Sequence, residues 1–549
     1  MKNKKNQAEL GVAESYNITP YAGNPYYHTH PSVLAAYGSL YGLSPPDPAQ
    51  CRVLELGCGD GNNLIPMAYE FPESVFSGID LSPVQIGIGL KSIGSLNLKN
   101  IQLFTRSIMD MCEADGRFDY IIVHGVYSWV PSEVRKKILD ICRSNLSDQG
   151  IAYISYNVLP GWRFNQTMRD MFLYRTRHMK APGQKAQAAI DLCNTMLQGT
   201  VDGNSVHDVQ LRFFGKTLRD FPNVSSYLLH EYMETHNTSF YFHHFAGDLK
   251  NHGLQYICDA YQPDFELDSL PPDTAAALKE ISKSTVEVEQ YIDFLKNTRF
   301  RRSLICRKEL DLDSDYRLDR VQHLYAATEV VPVLDSPDSP IEEASTFKTS
   351  SGRKFSATDS FARIVLHRLS KIKPCTIKVD SLIKTMLQQD YPRTEPEPNF
   401  QKQAEKMGHV VYTLFFNGVL ELLGAGRQCI PEAGDFPTAS RVSRFQAPSR
   451  RVTNLCHRTI LMDDDMACFV LAHLDGTLDR NSLCDLMTEA VETGQIHIPK
   501  LDTRHGETIR ESMQLQLTSI LQQLPRCGVL INPDRHIKSP SELPEGQQK

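Results

Sequence analysis

The stretch with the clearest chemical content is RVLELGCGDGNN at residues 52–63, where an apolar run ends in a turn with glycines at positions 57, 59 and 61. Enzymes that bind dinucleotides place GxGxxG after their first strand, so that a pyrophosphate can sit on a helix N-terminus. Here Asn62 occupies the sixth position of that pattern, and the third glycine, Gly61, comes early. A phosphate-binding loop fits less well, because no Gly-Lys-Ser/Thr follows. The turn therefore favours a ligand without a pyrophosphate.

The order of residues in ELGCGDG, 55–61, resembles motif I (ExGxGxG) of class I S-adenosylmethionine methyltransferases. Their ligand has a zwitterionic methionine end, a sulfonium, a ribose and an adenine, and glycine lets the backbone approach the methionine end closely. The resemblance implies S-adenosyl-L-methionine as cofactor and S-adenosyl-L-homocysteine as product. The resemblance also implies cofactor contacts within this stretch, at Glu55, Gly57, Cys58, Gly59, Gly61 and Asn62.

Two later positions fit the same ligand. Asp80 closes the second predicted strand, where a carboxylate can accept hydrogen bonds from both ribose hydroxyls, and Leu81 follows it. Ser107 and Ile108, after the third predicted strand, match the place where such enzymes hold the adenine edge. The alternative is that the glycines merely end a strand and that Asp80 caps the next helix. The turn, the acid and the following strand in this order favour the cofactor site.

Aromatic and polar residues follow the fourth and fifth predicted strands, at the edge where open α/β sheets bind ligands. Aromatic faces there can hold an ammonium or methylammonium group, although core packing is the commoner role of any single ring. His124 is a candidate proton acceptor and cofactor contact, with a structural histidine as the alternative. The candidate catalytic residues are Tyr127, Trp129, His124 and Asn157, and the candidate substrate-binding residues are Tyr156, Trp162 and, in an N-terminal lid, Tyr16 and Tyr21.

The elements that must position these residues alternate between strand and helix patterns. Such alternation predicts an α/β fold with a Rossmann-like, parallel, doubly wound sheet of seven strands. A helical block near 183–245 is inserted before the sixth strand. The predicted strands are 52–56, 75–82, 101–105, 118–123, 151–156, 254–261 and 300–308.

Beyond residue 310 the pattern changes to an exposed β-hairpin, short amphipathic helices and a helix-rich α+β, winged-helix-like region. Five arginines between 441 and 458 are interpreted as a solvated connecting strap. The predicted domains are a cofactor-binding core with N-terminal lid (1–182), a helical regulatory or dimerisation insertion (183–245), the last core strands (246–310), a β-hairpin connector (311–360) and a C-terminal helix-rich domain (361–549).

Longer stretches narrow the family. "YNITPYAGNPYYHTHP" (16–31), "HGVYSWVP" (124–131), "SYLLHEYMETHNTSFYFHHF" (226–245) and "LAHLDGTLDRNSLCDLM" (471–487) resemble bacterial methyltransferases that carry a methyltransferase regulatory domain. The best understood of these are similar to protein lysine methyltransferases acting on outer-membrane proteins. The resemblance implies in-line attack by a lysine amine on the methyl group, a protein substrate such as an outer-membrane protein before export, and a homodimer.

Composition limits the other possibilities. A net charge of −7 argues against broad adhesion to nucleic acid or anionic membrane. No stretch approaches eighteen consecutive apolar residues, so we expect a cytoplasmic protein without membrane insertion. The pairs His28–His30 and His243–His244 lack Cys, Asp or Glu partners at ligand spacing, so we expect no metal.

Two alternatives to lysine methylation stay open at this stage. One is a methyltransferase whose acceptor is a small molecule or peptide intermediate. The other is a non-catalytic regulator that binds S-adenosylmethionine and uses its C-terminal half as the output module. The sequence identifies neither the acceptor nor the number of methyl groups added.

Overall fold

The computed structural model describes residues 23–199, 205–220, 224–260, 270–334, 344–389, 400–496 and 508–532. Its central element is a sheet of seven strands in the order β3-β2-β1-β4-β5-β7-β6. The strands are β1 (Arg52–Leu56), β2 (Val75–Asp80), β3 (Ile101–Thr105), β4 (Phe118–Val123), β5 (Leu146–Asn157), β6 (Leu254–Asp259) and β7 (Phe300–Arg307). The predicted seven-stranded α/β sheet is confirmed.

The prediction of a wholly parallel sheet is wrong for one strand. β7 lies between β5 and β6 and is antiparallel to both. The reason lies in the connection, because the chain leaves β6 at the edge where the parallel strands end and re-enters the sheet from that same edge. The start of β7 therefore stands beside the end of β5, with Phe300 paired to Asn157.

Helices cover both faces of the sheet, as a doubly wound fold requires. Alternate residues of β4 show the two faces: Tyr120 and Ile122 pack in one buried cluster, and Ile121 and Val123 pack in another. The first eleven helices are α1 (Pro31–Leu40), α2 (Leu64–Glu70), α3 (Pro83–Ser95), α4 (Ser132–Asn145), α5 (Arg163–Thr176), α6 (Pro182–Gln198), α7 (Val206–Asp220), α8 (Val224–Tyr232), α9 (Phe242–Asn251), α10 (Pro272–Ile281) and α11 (Thr285–Lys296).

Four of these helices, α5 to α8, form the insertion between β5 and β6, and they have a hydrophobic core of their own. Phe172, Cys193, Phe214 and Leu228, one from each helix, are buried together there. Arg169 of α5 is also buried, and its guanidinium donates hydrogen bonds to the backbone carbonyls that follow α8. The insertion is thus a packed helical unit above the edge where β5 ends.

A buried arginine fastens the last strands to their connecting helices. The Arg301 side chain, on β7, is fully buried and forms ion pairs with Asp259, Glu289 and Asp293. Its guanidinium also lies 4.2 Å from the ring centroid of Phe242. Three carboxylates around one cation compensate a charge that would be costly to bury alone.

The C-terminal half has an α+β fold, and the predicted β-hairpin accounts for only some of its strands. β10 and β11 do form an antiparallel hairpin, but β8 pairs instead with β12 and β13 in a separate sheet, so 311–360 is more than a hairpin connector. The helix that begins at Phe400 ends at Phe416, and the chain then turns into β13. The strands are β8 (Tyr325–Ala327), β9 (Val331–Pro332), β10 (Thr346–Lys348), β11 (Lys354–Ser356), β12 (Ile377–Lys378), β13 (Glu421–Leu423), β14 (Arg451–Thr453) and β15 (Thr459–Leu461).

The helices of this half are short and amphipathic, and the last three of them contribute to a compact apolar cluster. They are α12 (Leu318–Val321), α13 (Ser360–Lys371), α14 (Val379–Gln389), α15 (Phe400–Phe416), α16 (Arg441–Gln446), α17 (Asp465–His473), α18 (Arg480–Glu492) and α19 (Ile509–Gln523). Across the ranges described here, no helix is both long enough and apolar enough to cross a bilayer.

The arginine-rich segment 441–458 is not a solvated strap. It folds into α16 and β14, and its side chains are paired: Arg441 donates to the Leu96 carbonyl at 3.1 Å, and Arg450 forms an ion pair with Asp465. Arg458 forms ion pairs with Glu329 and Glu421. These arginines hold the C-terminal half against itself and against the sheet.

Candidate functional site

A cavity of about 1210 Å³ lies at the carboxyl-terminal edge of the sheet. Its wall comes from the turns after β1 to β5, from the start of β7, from α7 and α8, and from the segment Gly23–His28. Open α/β sheets bind their ligands at this edge, where the strand order changes direction. Most of the sequence-predicted site residues meet here.

The glycine turn shows why three glycines are needed, although they do different work. Gly57, Gly59 and Gly61 all have positive φ, at 78°, 56° and 73°. A Cβ atom on Gly57 would lie 2.5 Å from Val126, whereas a Cβ on Gly59 would meet nothing within 4 Å. Gly57 and Gly59 line the cavity together with Cys58.

Gly61 and Asn62, two predicted cofactor contacts, do not line the cavity. A Cβ on Gly61 would lie 2.8 Å from Leu103, so this glycine allows close packing of the turn on β3. The Asn62 side chain donates to Asp60 at 2.8 Å. Both residues therefore support the turn, and neither of them lines the cavity.

Glu55 lies under the turn with unmet hydrogen-bonding capacity. Its Oε1 accepts a hydrogen bond of 2.8 Å from the Asn63 amide. Its Oε2 is buried without a hydrogen-bond partner among the described residues. Burial raises the pKa of Glu55 to about 8. A cationic group entering the cavity would relieve this penalty, so the position suits an ammonium group.

Asp80 ends β2 beside the turn. Its Oδ2 accepts a 3.0 Å hydrogen bond from the Gly59 amide, and its Oδ1 accepts a 2.8 Å bond from the Ser82 amide. Burial raises the pKa of Asp80, and these backbone donors oppose the rise. Each carboxylate oxygen can accept a second hydrogen bond, which suits two neighbouring hydroxyl groups. Leu81, Ser107 and Ile108 line the adjacent wall.

The segment Gly23–His28 covers the turn and was missed among the sequence candidates. The Gly23 amide donates to Asp60 at 3.2 Å, and the Tyr26 amide donates to Asn63 at 2.9 Å. The Tyr26 ring lies 3.8 Å, centroid to centroid, from the ring of His124. The candidates Tyr16 and Tyr21 lie outside the described residues. A usable signal was the Asn-Pro-Tyr-Tyr run at 24–27, which stands just before the first helix.

His124 and Asn157 both reach the cavity from the ends of β4 and β5. The Nδ1 atom of His124 lies 3.1 Å from the Tyr153 hydroxyl and 3.2 Å from the Ser155 hydroxyl. Burial lowers the pKa of His124 to about 3. The imidazole is therefore neutral at pH 7 and a weak base, which does not favour its expected role as proton acceptor. The Asn157 amide donates to Asn237 at 3.3 Å.

The aromatic candidates divide into two groups. Trp129 and Trp162 line the cavity. Tyr127 and Tyr156 do not: both are buried, and their rings pack against Phe240 and Phe245. The expectation that these two tyrosines face a ligand is wrong, because Tyr127, in the turn after β4, and Tyr156, on β5, both pack in the apolar cluster on one face of the sheet.

The far wall of the cavity comes from the helical insertion and was not found from the sequence. The carboxylate of Glu231, on α8, has no hydrogen bond or ion pair among the described residues, while the Glu231 backbone carbonyl accepts a 3.3 Å hydrogen bond from the Asn237 side chain. Burial raises the pKa of Glu231 to about 7. A recognisable signal was the amphipathic run VSSYLLHEYMETH, whose polar face now borders the cavity. The insertion contributes Phe213, Thr217, Tyr227, His230, Glu231, Glu234 and His236 to this wall, and the chain at the start of β7 contributes Arg299, Phe300 and Arg302.

The histidine pairs do not form metal sites. His28 lines the cavity, while His30 lies behind it, 3.2 Å from Glu70. His243 is bonded to Gln290. Within the described ranges, no group of three or more His, Cys, Asp or Glu side chains could hold a metal ion.

Comparison with protein families gives three matches along the chain. Residues 53–150 match the family described as "Methyltransferase domain". Residues 224–307 match "Predicted methyltransferase regulatory domain". Residues 435–529 match "PKMT, C-terminal winged helix domain". The three matches follow one another in the order expected from the sequence.

Individual relatives cover nearly the whole chain. The chain is 30% identical to the uncharacterized protein RP789 of Rickettsia prowazekii (strain Madrid E), over 94% of this chain and 93% of that one. It is 39% identical to the shorter protein RP028 of the same organism, over 42% of this chain and 92% of that one. Among solved structures it is similar to PKMT2 from Rickettsia typhi in complex with AdoHcy, with 27% identity, a TM-score of 0.81 and coverage of 93% of this chain and 100% of that one.

Proposed function

Because the chain belongs to the bacterial class I S-adenosylmethionine-dependent methyltransferases that carry a methyltransferase regulatory domain, we propose that it methylates lysine side chains of a protein substrate. Methyltransferase activity and S-adenosylmethionine as cofactor follow from the family. The nature of the acceptor and the roles of individual residues are the substance of the proposal.

The residues of the turn fit this cofactor. In the proposed arrangement Glu55 faces the methionine ammonium, and Gly57, Cys58 and Gly59 leave room for the methionine end. Asp80 accepts the ribose hydroxyls, while Leu81, Ser107 and Ile108 border the adenine. When bound, S-adenosylmethionine supplies a methyl group that a positively charged sulfur already activates. The remaining work of the protein is to position the acceptor and to exclude water.

One observation carries the lysine proposal: a half-buried, unpaired carboxylate and two tryptophans share the cavity that the glycine turn opens into. Glu231 stands on the insertion wall, and Trp129 and Trp162 follow β4 and β5. The Trp162 Nε1 atom is buried without a hydrogen-bond partner in the described part of the chain. A carboxylate beside aromatic faces is the environment that attracts an ammonium group.

Volume supports the same assignment. A cavity of about 1210 Å³ exceeds the roughly 300–1,000 Å³ typical of a single small-molecule site. Space beyond the cofactor end therefore accommodates a long side chain such as lysine. In the proposal, the side chain enters along the wall formed by α7 and α8, and its nitrogen passes Glu231 before it reaches the tryptophans.

The amine must lose its proton before it can accept a methyl group. With a reference pKa near 10.4, deprotonation at pH 7 costs roughly 4.6 kcal/mol. Removal from water lowers the pKa of an amine, and proximity to a positively charged sulfur lowers it further. The neutral imidazole of His124 adds no like charge at this edge. A strong general base is therefore not required.

The names of the similar proteins support the lysine acceptor, because PKMT abbreviates protein lysine methyltransferase. We also propose, from the family resemblance alone, that the substrate is an outer-membrane protein methylated before export and that the enzyme is a homodimer. The predicted domain boundaries at 182, 245 and 310 remain part of the proposal, whereas the segment 311–360 also contributes β8 to a sheet with β12 and β13.

The test is mass spectrometry of a bacterial extract incubated with the purified protein and S-adenosylmethionine carrying an isotopic methyl group. We expect labelled lysine residues in a protein, together with formation of S-adenosylhomocysteine. Label found only in small molecules would contradict the lysine acceptor and leave the enzyme class intact. Cofactor binding without any turnover would instead favour the non-catalytic regulator.

A further inference from the structure

The C-terminal half contacts the cavity wall through the β14–β15 hairpin. Residues 454–458 join β14 to β15, and His457 in this loop is buried with a positive φ of 54°. The His457 Nε2 atom lies 2.8 Å from the Oδ1 atom of Asn63, which is 394 residues away in sequence. Asn63 directly follows the glycine turn and lines the cavity.

Asn63 is a junction between three parts of the cavity wall. Its amide nitrogen donates to Glu55 Oε1 at 2.8 Å and to the Thr29 hydroxyl at 3.0 Å. Its Oδ1 accepts the backbone amide of Tyr26 at 2.9 Å. Asn63 thus connects the acid under the turn with the segment that covers the turn.

The direction of the His457 bond follows from these contacts. A backbone amide can only donate, so the contact from Tyr26 identifies Oδ1 of Asn63 as the acceptor. Burial lowers the pKa of His457 well below its ordinary value, so the ring is neutral and has one proton. That proton is on Nε2, and His457 donates to Asn63.

Other side chains of the same β14–β15 hairpin contact the covering segment. Arg451 donates to the Asn24 side chain at 2.5 Å, and the Thr459 hydroxyl lies 3.4 Å from the same oxygen. The Arg458 guanidinium lies 4.6 Å from the ring centroid of Tyr27. Asn24, Tyr27 and Asn63 all line the cavity. The hairpin therefore supports the wall from outside at three points.

We propose that the β14–β15 hairpin completes the cofactor site, with His457 as a positioning residue that fixes Asn63 and, through it, Glu55 and Tyr26. Docking of the hairpin and binding of the cofactor are then thermodynamically coupled. Coupling of this kind is reciprocal, so each event strengthens the other. The inference concerns only the cofactor and holds whatever the acceptor is.

The first test measures S-adenosylhomocysteine affinity by calorimetry in the full chain. His457→Ala removes one donor, and a net loss typical of one hydrogen bond predicts roughly 2–12-fold weaker binding. His457→Gln retains an N–H donor at a similar distance and restores affinity to within about twofold. The Michaelis constant for S-adenosylmethionine rises in His457→Ala, while turnover at saturating cofactor stays within about twofold.

His473→Ala is the matched control. His473 is on α17 in the same region, its Nδ1 atom lies 2.8 Å from the Phe469 carbonyl oxygen, and it does not line the cavity. We expect unchanged affinity. Equal losses in His473→Ala and His457→Ala, or no rescue by glutamine, would overturn the positioning role.

The second test uses the unmodified protein, so that it does not depend on how a variant folds. Hydrogen exchange of backbone amides in residues 451–461 is compared with and without saturating S-adenosylhomocysteine. We expect slower exchange in the hairpin when the ligand is present, and no change in α18 and α19. Exchange in the hairpin that is indifferent to the ligand would overturn the coupling.

Discussion

The amide of Gly59 donates a 3.0 Å hydrogen bond to Oδ2 of Asp80, so the glycine turn after β1 is fastened to the end of β2. The Ser82 amide donates to the other oxygen, Oδ1, so backbone donors hold both oxygens of a carboxylate that lines the cavity. Loss of the carboxylate therefore removes both the proposed ribose contact and a support of the turn.

Asp80→Ala is expected to weaken S-adenosylhomocysteine binding by at least about 100-fold, because two charge-assisted hydrogen bonds are lost. Isothermal calorimetry measures the effect. Asp80→Asn keeps one acceptor oxygen and should give an intermediate loss. The control is Asp140→Asn, at an exposed position on α4, where binding should not change. Equal affinity for Asp80→Ala and the unmodified protein would contradict the proposed ribose contact.

Glu231→Gln is expected to raise the Michaelis constant for the protein acceptor about 10-fold or more, because the amide cannot pair with an ammonium group. The Michaelis constant for S-adenosylmethionine should stay the same, since Glu231 lies on the insertion wall. Steady-state kinetics with each substrate varied in turn separates the two effects. Glu489→Gln, exposed on α18, is the control. If only the Michaelis constant for S-adenosylmethionine changed, Glu231 would act at the cofactor end of the cavity, which would contradict the proposal.

The two groups of aromatic residues should respond differently to substitution. Trp129→Ala is expected to lower kcat/KM for the acceptor by roughly 10-fold or more, since an aromatic face for the amine is lost. Tyr127→Phe keeps the ring that packs against Phe240 and should leave kcat/KM within about twofold. The same methyl-transfer assay measures both variants. A larger loss for Tyr127→Phe than for Trp129→Ala would contradict the conclusion that Trp129 faces the cavity and Tyr127 packs in the core.

Stability should depend on pH through Glu55. The pKa of Glu55 is about 8 in the folded chain and about 4.5 in the unfolded chain, so the folded state binds more protons between these two pH values. Unfolding free energy therefore falls as pH rises from about 5 to 8, by up to ~1.4 kcal/mol per pH unit from this group. Urea unfolding of Glu55→Gln at several pH values should show a flatter dependence. An identical slope in both proteins would mean that Glu55 does not titrate in this range.

Arg301→Ala should be strongly destabilising, by about 3–5 kcal/mol, because Asp259, Glu289 and Asp293 would stay buried without their cation. Chemical denaturation measures the loss. Arg317→Ala is the contrasting control. Both side chains of the Arg317–Asp319 ion pair are exposed, so the pair should contribute at most about 1 kcal/mol. Similar losses for the two variants would show that burial of the Arg301 cluster does not determine its contribution.

Local patterns were sufficient to predict the sheet and much of the cofactor side. The turn at 57–61 and the acid at Asp80 depend on residues close in sequence, and strand periodicity located β1 to β4 within two residues at each end. The direction of β7 could not be predicted, because it depends on which edge of the sheet the chain re-enters. No short-range pattern contains that information.

The acceptor side was harder to predict for the same reason. Glu231 and Trp162 share a cavity only because a separate helical unit folds over the edge of the sheet. Tyr127 follows β4 just as Trp129 does, and Tyr156 lies next to the end of β5, yet both tyrosine rings pack in the core. Position along a strand predicts the edge that a residue reaches, but the side that it faces depends on packing.

The place of β7 between β5 and β6 also bears on how the protein is made. At ~5–20 residues per second, synthesis takes roughly 8–30 s to pass from the end of β5 at Asn157 to the end of β7 at Arg307. During that interval the outer side of β5 has no neighbour, and an unpaired strand edge invites association with other chains. The nascent polypeptide is therefore most exposed to aggregation, and most in need of a chaperone, while its insertion is being translated.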